Sequence, residues 1–426
     1  MSKNNENKLV PKLRFPEFIK DKEWKEDELG KICDYWNGAS HESGVSENGE
    51  YYLISLNSID IDGNLKGEMK RLTYTDNSLK KNDLVMVLSD VAHGNFLGLT
   101  DIIPNDKYVL NQRMAGLRIK DIEHVNSFFL RSYINKKQKY FKTKGQGSSQ
   151  LNLSKSSVTE FPVLLPTNLQ EQQKIAACLS SLDDVITAES KKLEVLKEHK
   201  KGLLQNLFPQ QGETVPKLRF KEFEDSGEWV SDILKNVFTI FQGFAFSSND
   251  SVNDGVRWLK IADVGIQQMN HLSPSYLPYE FKDKYENFLI KEGDYVIALT
   301  RPILNKKLKI SKVDNTLHNS LLNQRVGKLV SNKCIDFVYY LVQTSNLISR
   351  IEQNIAGSEP PNLSAQQIEN IEVFIPSTKK EQQKIANTLS SIDDLINAQS
   401  QKIETLKLHK KGLLQGLFPD VNEHNG

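Results

Sequence analysis

The sequence predicts an α+β protein built from two globular halves, each followed by a copy of one long helix, with the two copies paired as an antiparallel coiled coil. Three observations carry this. The stretch from Glu171 to Pro209, "EQQKIAACLSSLDDVITAESKKLEVLKEHKKGLLQNLFP", returns from Glu381 to Pro419, identical at 28 of 39 positions. Shorter matches precede each copy in the same order: "VPKLRF" at Val10 and Val215, Trp24 with Trp229, Gly38 with Gly243, "LNQR" at Leu110 and Leu322, and "NLS" at Asn152 and Asn362. Between them, β-rich runs such as "YYLISL", "DLVMVL" and "DYVIAL" alternate with polar loops and short helical patterns. The chain is therefore an internal duplication with a pseudo-twofold character.

Taken in order, residues 1–166 form the first globular domain, 167–209 the first helix, 210–376 the second domain, 377–419 the second helix and 420–426 a tail. In the first helix Ile175, Leu179, Leu182, Ile186, Glu189, Leu193, Leu196, Lys200, Leu203 and Leu207 step by alternating fours and threes, the seam of a coiled coil. The second repeats it with Ile385, Leu389, Ile392, Ile396, Gln399, Ile403, Leu406, Lys410, Leu413 and Leu417. Such a stripe also fits an ordinary core face. A helix of ~60 Å, however, outruns a domain of this size and needs a long partner, and its own duplicate is at hand. A twofold duplication suits antiparallel pairing, which sets Glu189 against Gln399 at mid-helix. Thr378 with Glu381, and Asn168 with Glu171, have capping-box spacing, and Pro166 and Pro376 disfavour an earlier start. Because "VPKLRF" follows the first helix and also opens the chain, the order of elements is that of a ring cut between Pro419 and Val10.

Composition narrows the function. Charged residues are 26% of the chain and the formal net charge is +1, so any attraction to nucleic acid must come from local patches. No apolar run approaches the ~20 residues of a membrane span, and a cytoplasmic protein without membrane partners is expected. Cys33, Cys178 and Cys334 lie far apart, without a Cys-x-x-Cys pair, and the eight histidines show no one-turn pairing, so neither disulfides nor a metal site is expected. An Asn/Asp-Pro-Pro-aromatic motif and a phosphate-binding Gly-x-x-x-x-Gly-Lys-Ser/Thr loop are both missing, and no catalytic residues are assigned. Repeated parts should meet repeated partners. The outward faces of the helices, with "EQQK" and "HKKGLLQ" in both copies, suggest two copies of one partner protein, while the divergent domains suggest two different targets.

The repeated helices, the "VPKLRF…W" entry segments and the "LNLS" and "PNLS" domain ends together resemble the specificity subunit of type I restriction-modification systems over essentially the whole chain. The resemblance implies two target-recognition domains that each read half of a bipartite site in double-stranded DNA, and a helical spacer that sets the gap. It also implies two docked methyltransferase subunits, with motor-nuclease restriction subunits added for cleavage. No cofactor is expected on this subunit; S-adenosylmethionine, ATP and Mg would serve the complex. Three corresponding loop pairs resemble the family's variable DNA-facing loops: "NGASHESG" with "QGFAFSSND", "SDVAHGNFLG" with "TRPILNKKLK", and "GQGSSQLNLS" with "AGSEPPNLS". They supply the candidate DNA contacts Ser40, His41, Ser89, His93, Asn95, Gln146, Ser148, Ser149 and Gln150 in the first domain, and Ser247, Ser248, Arg301, Asn305, Lys306, Lys307, Ser358 and Asn362 in the second. A basic run carrying Arg131, Lys136, Lys137, Lys139, Lys142 and Lys144, interleaved with Tyr133, Tyr140 and Phe141, suits phosphate contacts, though a solvated helix face reads the same way. A tandem adaptor for proteins or glycans, with the coil as a ruler, is the rival class; a self-sufficient nuclease or methyltransferase is disfavoured by the missing motifs.

Overall fold

A computed structural model describes residues 9–91, 94–355 and 360–419. Contacts divide the chain into two compact units, residues 1–190 with 401–426, and residues 191–400. The cuts fall inside the long helices, Leu169–Asn206 and Lys379–Leu417, so each helix gives one half to each unit.

In the first unit a four-stranded antiparallel sheet runs in the order Cys33–Asn37, Met114–Ile119, Leu84–Val87, Thr100–Ile102. The central strand "LVMV" is buried on both faces, so it reads as a continuous apolar run rather than as an alternation. A second sheet joins Arg71–Leu72, Tyr51–Ile54 and Tyr108–Leu110, the last two parallel. Lys25–Glu28 pairs with Pro162–Leu165 and closes the globular part just before the long helix begins. The second unit repeats this strand for strand: Thr239–Gln242, Val326–Val330, Tyr295–Ala298 and Ile310–Lys312 in one sheet; Tyr276–Leu277, Val256–Leu259 and Leu321–Leu322 in the other; and Val230–Ile233 against Glu372–Ile375. Two sequences that share only short motifs thus adopt one topology. Gly38 and Gly243 show why some motifs persist, since a side chain there would meet the carbonyl oxygens of Asn111 and Asn323 at 2.0 and 2.3 Å.

Within each unit the two helix halves run antiparallel. In the first, Asp183 bonds Lys410 and Glu189 bonds Lys402; in the second, Lys200 bonds Asp393 at 2.6 Å, while Leu207 and Phe208 share a core with Ile385, Ala386 and Leu389. Burial follows the expected stripe, with Leu182, Ile186, Leu193 and Leu196 half-buried and their outer neighbours mostly exposed. Six stripe residues, Leu207 and Leu417 among them, serve another purpose. Ile175 and Leu179 lie in the globular core with Trp24, Phe129, Leu417 and Phe418, and Ile385 and Leu389 do the same in the second unit. Glu189 is engaged by Lys402, and Gln399 is buried; of the remaining stripe positions, Ile392, Ile396 and Leu406 are half-buried and Ile403 is buried.

The polar interruptions at Lys200 and Lys410 are ion pairs placed alike in the two units, each aspartate also meeting its globular part. Asp393 accepts the Tyr340 hydroxyl at 2.8 Å, and Asp183 lies 3.6 Å from Arg131. The expected capping boxes are half right. Thr378 Oγ1 accepts the Glu381 N–H and Asn168 Oδ1 the Gln170 N–H, but neither glutamate turns back on its cap. Glu171 instead takes a two-pronged bond from Arg14, at 2.8 and 2.7 Å, and one from Trp24 Nε1; Glu381 takes the same from Arg219 and Trp229. Gln172 and Gln382 are equally internal, bonding the backbone at Asn126 and Cys334. "EQQK" is therefore repeated because it clamps the "VPKLRF…W" segment and the domain to the helix, and its first two residues form no outward face. The Leu218 N–H bonds Asn206 O and the Leu13 N–H bonds Gly416 O, both at 2.8 Å, so the ring-like order of elements is joined in space at equivalent places.

Candidate nucleic-acid interface

The loops that carry the candidate contacts spring from the ends of the four-stranded sheets. In the first unit Ser89–Val91 pairs with Gln150–Asn152, and the Ser89 hydroxyl donates to Asn152 Oδ1. In the second, Thr300 bridges Asn362 and its hydroxyl donates to Asn362 Oδ1 at 2.8 Å. The asparagine of "NLS" is thus a latch that holds two loops side by side. This explains its place in both halves and removes the Ser89 and Asn362 side chains from the groups free to meet a ligand: Ser89 is buried. Beyond Thr300 the chain forms a two-residue hairpin, Ile303–Leu304 against Lys307–Leu308, with Asn305 and Lys306 both at positive φ (51° and 57°). That is a type I′ turn, whose twist matches the strands it joins. Arg301, Asn305, Lys306 and Lys307 are exposed around it.

The first unit has no such hairpin at the equivalent place among the described residues. Asn95 is exposed there, its carbonyl accepting Gln138 Nε2 and its amide oxygen lying 3.5 Å from Lys142 Nζ. Gln146, Ser148 and Ser149 are exposed, and Gln150 is half-buried in its strand. Ser40 is exposed, but His41 is not available: it is 8% exposed, its Nδ1 is 3.0 Å from the Tyr74 hydroxyl and its Nε2 3.2 Å from Asp76. Ser247 is exposed and caps the short helical turn Ser248–Asp250, on which Ser248 is exposed as well. His93 and Ser358 lie outside the described residues.

The basic run divides by face. Tyr133 and Phe141 are in the core, and Arg131 is buried, bonded to Gly63 O and Asn64 Oδ1 and 3.2 Å from Asp101. Asp101 is held above the usual carboxylate range by burial, with Arg131 opposing the rise. Neither the buried aromatics nor Arg131 can meet a phosphate. Lys139 and Lys144 are exposed, and Lys136, Lys137 and Lys142 are half-buried. The run spans two helices, Ser127–Lys136 and Gln138–Lys144, whose aromatic rings at Tyr133 and Phe141 belong to the core face, while the lysines are half-buried or exposed.

The structure also brings forward residues that the sequence singled out only as a repeat. In "LNQR", Leu110 and Leu322 are fully buried, whereas Gln112, Arg113, Gln324 and Arg325 are exposed beside the latched loops. Cys33 is structural, since burial pushes its thiol up to about 12 and keeps it protonated. Among the described residues no cluster of His, Cys, Asp and Glu could hold a metal ion, and no helix is long and apolar enough to cross a membrane.

The family comparison finds the same duplication. The family model for the type I restriction modification DNA specificity domain matches residues 21–198 and again 226–408. The chain belongs to this family. It is a type I restriction-modification specificity subunit with two target-recognition domains, a DNA-recognition component and not a catalytic one. It is similar to the type I restriction enzyme MjaVIII specificity subunit of Methanocaldococcus jannaschii, with 27% identity over 413 residues, 95% of this chain and 93% of that one. It is also similar to the EcoAI specificity subunit of Escherichia coli, 28% identical over 193 residues, 44% of this chain and 32% of that one. The fold matches the crystal structure of the type I restriction-modification S subunit from M. genitalium with a TM-score of 0.65 at 15% identity, covering 97% of this chain and all of the other. A second match, TM-score 0.52 at 15% identity, covers 93% of this specificity subunit and 98% of a chain from work on complex assembly and conformational transition in the type I system.

Proposed function

We propose that each globular unit of this specificity subunit reads one half of a bipartite, asymmetric site in double-stranded DNA, while the paired helices set the gap and dock two methyltransferase subunits. The recognition domains are residues 1–166 and 210–376, and the spacers residues 167–209 and 377–419. One observation carries the reading: the framework is duplicated strand for strand, while the loops on it diverge, with a cationic I′ hairpin in one unit that has no described counterpart in the other. A duplicated framework with unlike loops suits two unlike half-sites on one continuous ligand.

Methyltransferase docking is supported by Val185 and Leu395, which are equivalent in the repeat and are exposed aliphatic residues on the long helices. Motor-nuclease subunits would join for cleavage, with S-adenosylmethionine, ATP and Mg used by the partners, in the cytoplasm. Exchanging residues 210–376 for the corresponding domain of a relative is the test. Mapping of N6-methyladenine should show one altered half-site, the other half-site kept and the gap unchanged, because recognition energies of groups that share no contacts are nearly additive. A change in both half-sites, or in the gap alone, would refute it. Binding to protein or glycan without DNA would favour the adaptor class.

A further inference from the structure

The motifs that persist in both globular halves can be sorted by the work each residue does inside the fold. Trp24 and Trp229 bond Glu171 and Glu381. Gly38 and Gly243 admit the close backbone of Asn111 and Asn323. Leu110 and Leu322 are core residues; Asn111 bonds the His41 N–H and Glu42, and Asn323 bonds the Arg325 N–H. Asn152 and Asn362 latch the loops; Leu153 and Leu363 are buried; Ser154 and Ser364 cap the helices that follow. What remains is Gln112 with Arg113 and Gln324 with Arg325. All four are exposed, and among the described residues their side chains make no hydrogen bond, ion pair or ring contact. They are kept alike in two domains whose loops have diverged, and no contact among the described residues holds them.

Their position is defined by the backbone. Arg113 O accepts the Leu88 N–H at 3.0 Å and Arg325 O the Leu299 N–H at 2.9 Å, which sets each arginine beside the first residue of a latched loop, Ser89 or Thr300. In the second unit Gln324 and Arg325 line a cleft with Gln242, Thr300 and Asn362, and among the described residues its lining includes no acid. In the first, Gln112 and Arg113 line a cleft that also holds Glu42 and Glu68, where Glu42 is paired to Lys70 at 2.6 Å. Arg113 has φ +69°, a strained value that no hydrogen bond, ion pair or ring contact of its side chain repays among the described residues.

We infer that Gln112–Arg113 and Gln324–Arg325 are a sequence-independent contact to the DNA sugar-phosphate backbone, one in each recognition domain, with the guanidinium on a phosphate and the glutamine amide on an adjoining backbone oxygen. The backbone is the feature that two different half-sites have in common. A planar guanidinium with no carboxylate partner matches its phosphates. Contacts of this kind fix the register of a domain on the duplex, so that its variable loops meet the right base edges.

This inference rests on the proposed function, and the test separates the two. The full chain, assembled with the methyltransferase subunit of its own system, is titrated by fluorescence anisotropy against a duplex carrying the mapped site and against a scrambled duplex, over a range of salt. Arg113→Gln and Arg325→Gln should each weaken both duplexes by about tenfold. Each should reduce the slope of log affinity on log salt by about 0.9, and the double variant by about twice that. Arg→Lys at either position should restore the slope but not the full affinity. Melting temperatures should match wild type, since the side chains have no partners among the described residues. Wild-type slope and affinity in both glutamine variants would overturn the inference. So would loss of preference at one base, which would mean base reading, or loss of a methyltransferase copy in native mass spectrometry with an unchanged DNA slope. Failure of the wild-type assembly to bind either duplex would instead sink the proposed function itself.

Discussion

At the scale of single residues, the repeated charged positions turn out to be of two kinds, which differ by burial. Arg14 and Glu171, with side chains 6% and 1% exposed, form a forked pair closed off from water, and Arg219 with Glu381 repeats it. Removing one partner of such a pair leaves an uncompensated charge inside the protein. Arg219→Ala should therefore lower the stability of its unit by about 3–5 kcal/mol in chemical denaturation, while Lys31→Ala, at an exposed pair, should change it by less than about 0.5 kcal/mol. These roles could not be read from the sequence. The motifs were visible as repeats, but Arg14 and Glu171 are 157 positions apart, and nothing local to either says that they meet. His41 and Arg131 misled for the same reason: a polar residue in a polar stretch looks exposed until its distant partners, Asp76 and Asp101, are known.

Among the elements, the long helices were legible in the sequence almost to their ends, because a heptad pattern is a local property repeated many times. What it could not give was the division of labour along the stripe. The first turns enter a globular core, the middle meets the opposite helix, and the lysines at 200 and 410 are bonded to aspartates. Lys200 is 5% exposed and bonds Asp393 and Gln267, so Lys200→Met alone should destabilise the second unit by about 3 kcal/mol. Asp393→Asn added to it should recover part of that loss, which a double-mutant cycle would measure. The I′ hairpin separates folding from binding in another way. Lys306→Gly relieves a left-handed residue of roughly 1 kcal/mol, so thermal stability should hold or rise, while the salt slope of DNA binding falls by about one unit if the lysine meets a phosphate. Sheet order was illegible by contrast, since pairing partners such as Cys33–Asn37 and Met114–Ile119 are chosen by non-local packing.

Over the whole molecule, the proposed function assigns the duplicated surfaces to common partners and the divergent ones to different targets. Val185 and Leu395 are exposed at equivalent places in the repeated helices, 43% and 52% by area. Val185→Asp and Leu395→Asp together should remove methyltransferase copies from the native mass spectrum while the chain melts as before, and retention of two copies would show that docking lies elsewhere.

The near-identity of the two helices also has a genetic consequence. Their coding sequences offer long homologous tracts, and recombination between them at Ser190 and Gln401 would delete 210 residues and leave the first unit as a chain about half as long. In that product the tracts that face each other here, with Asp183 on one and Lys410 on the other, become successive parts of one continuous helix. They can no longer meet within a chain. Two copies of the shortened chain can restore each contact by crossing over, Asp183 of one to Lys410 of the second, which makes a homodimer the stable form. Its two reading surfaces would be the same, so the gene product of a simple deletion would recognise a palindrome where, on the proposed function, its parent reads an asymmetric site, and the spontaneous appearance of such half-length alleles in culture would be detected as a switch in the methylated sequence.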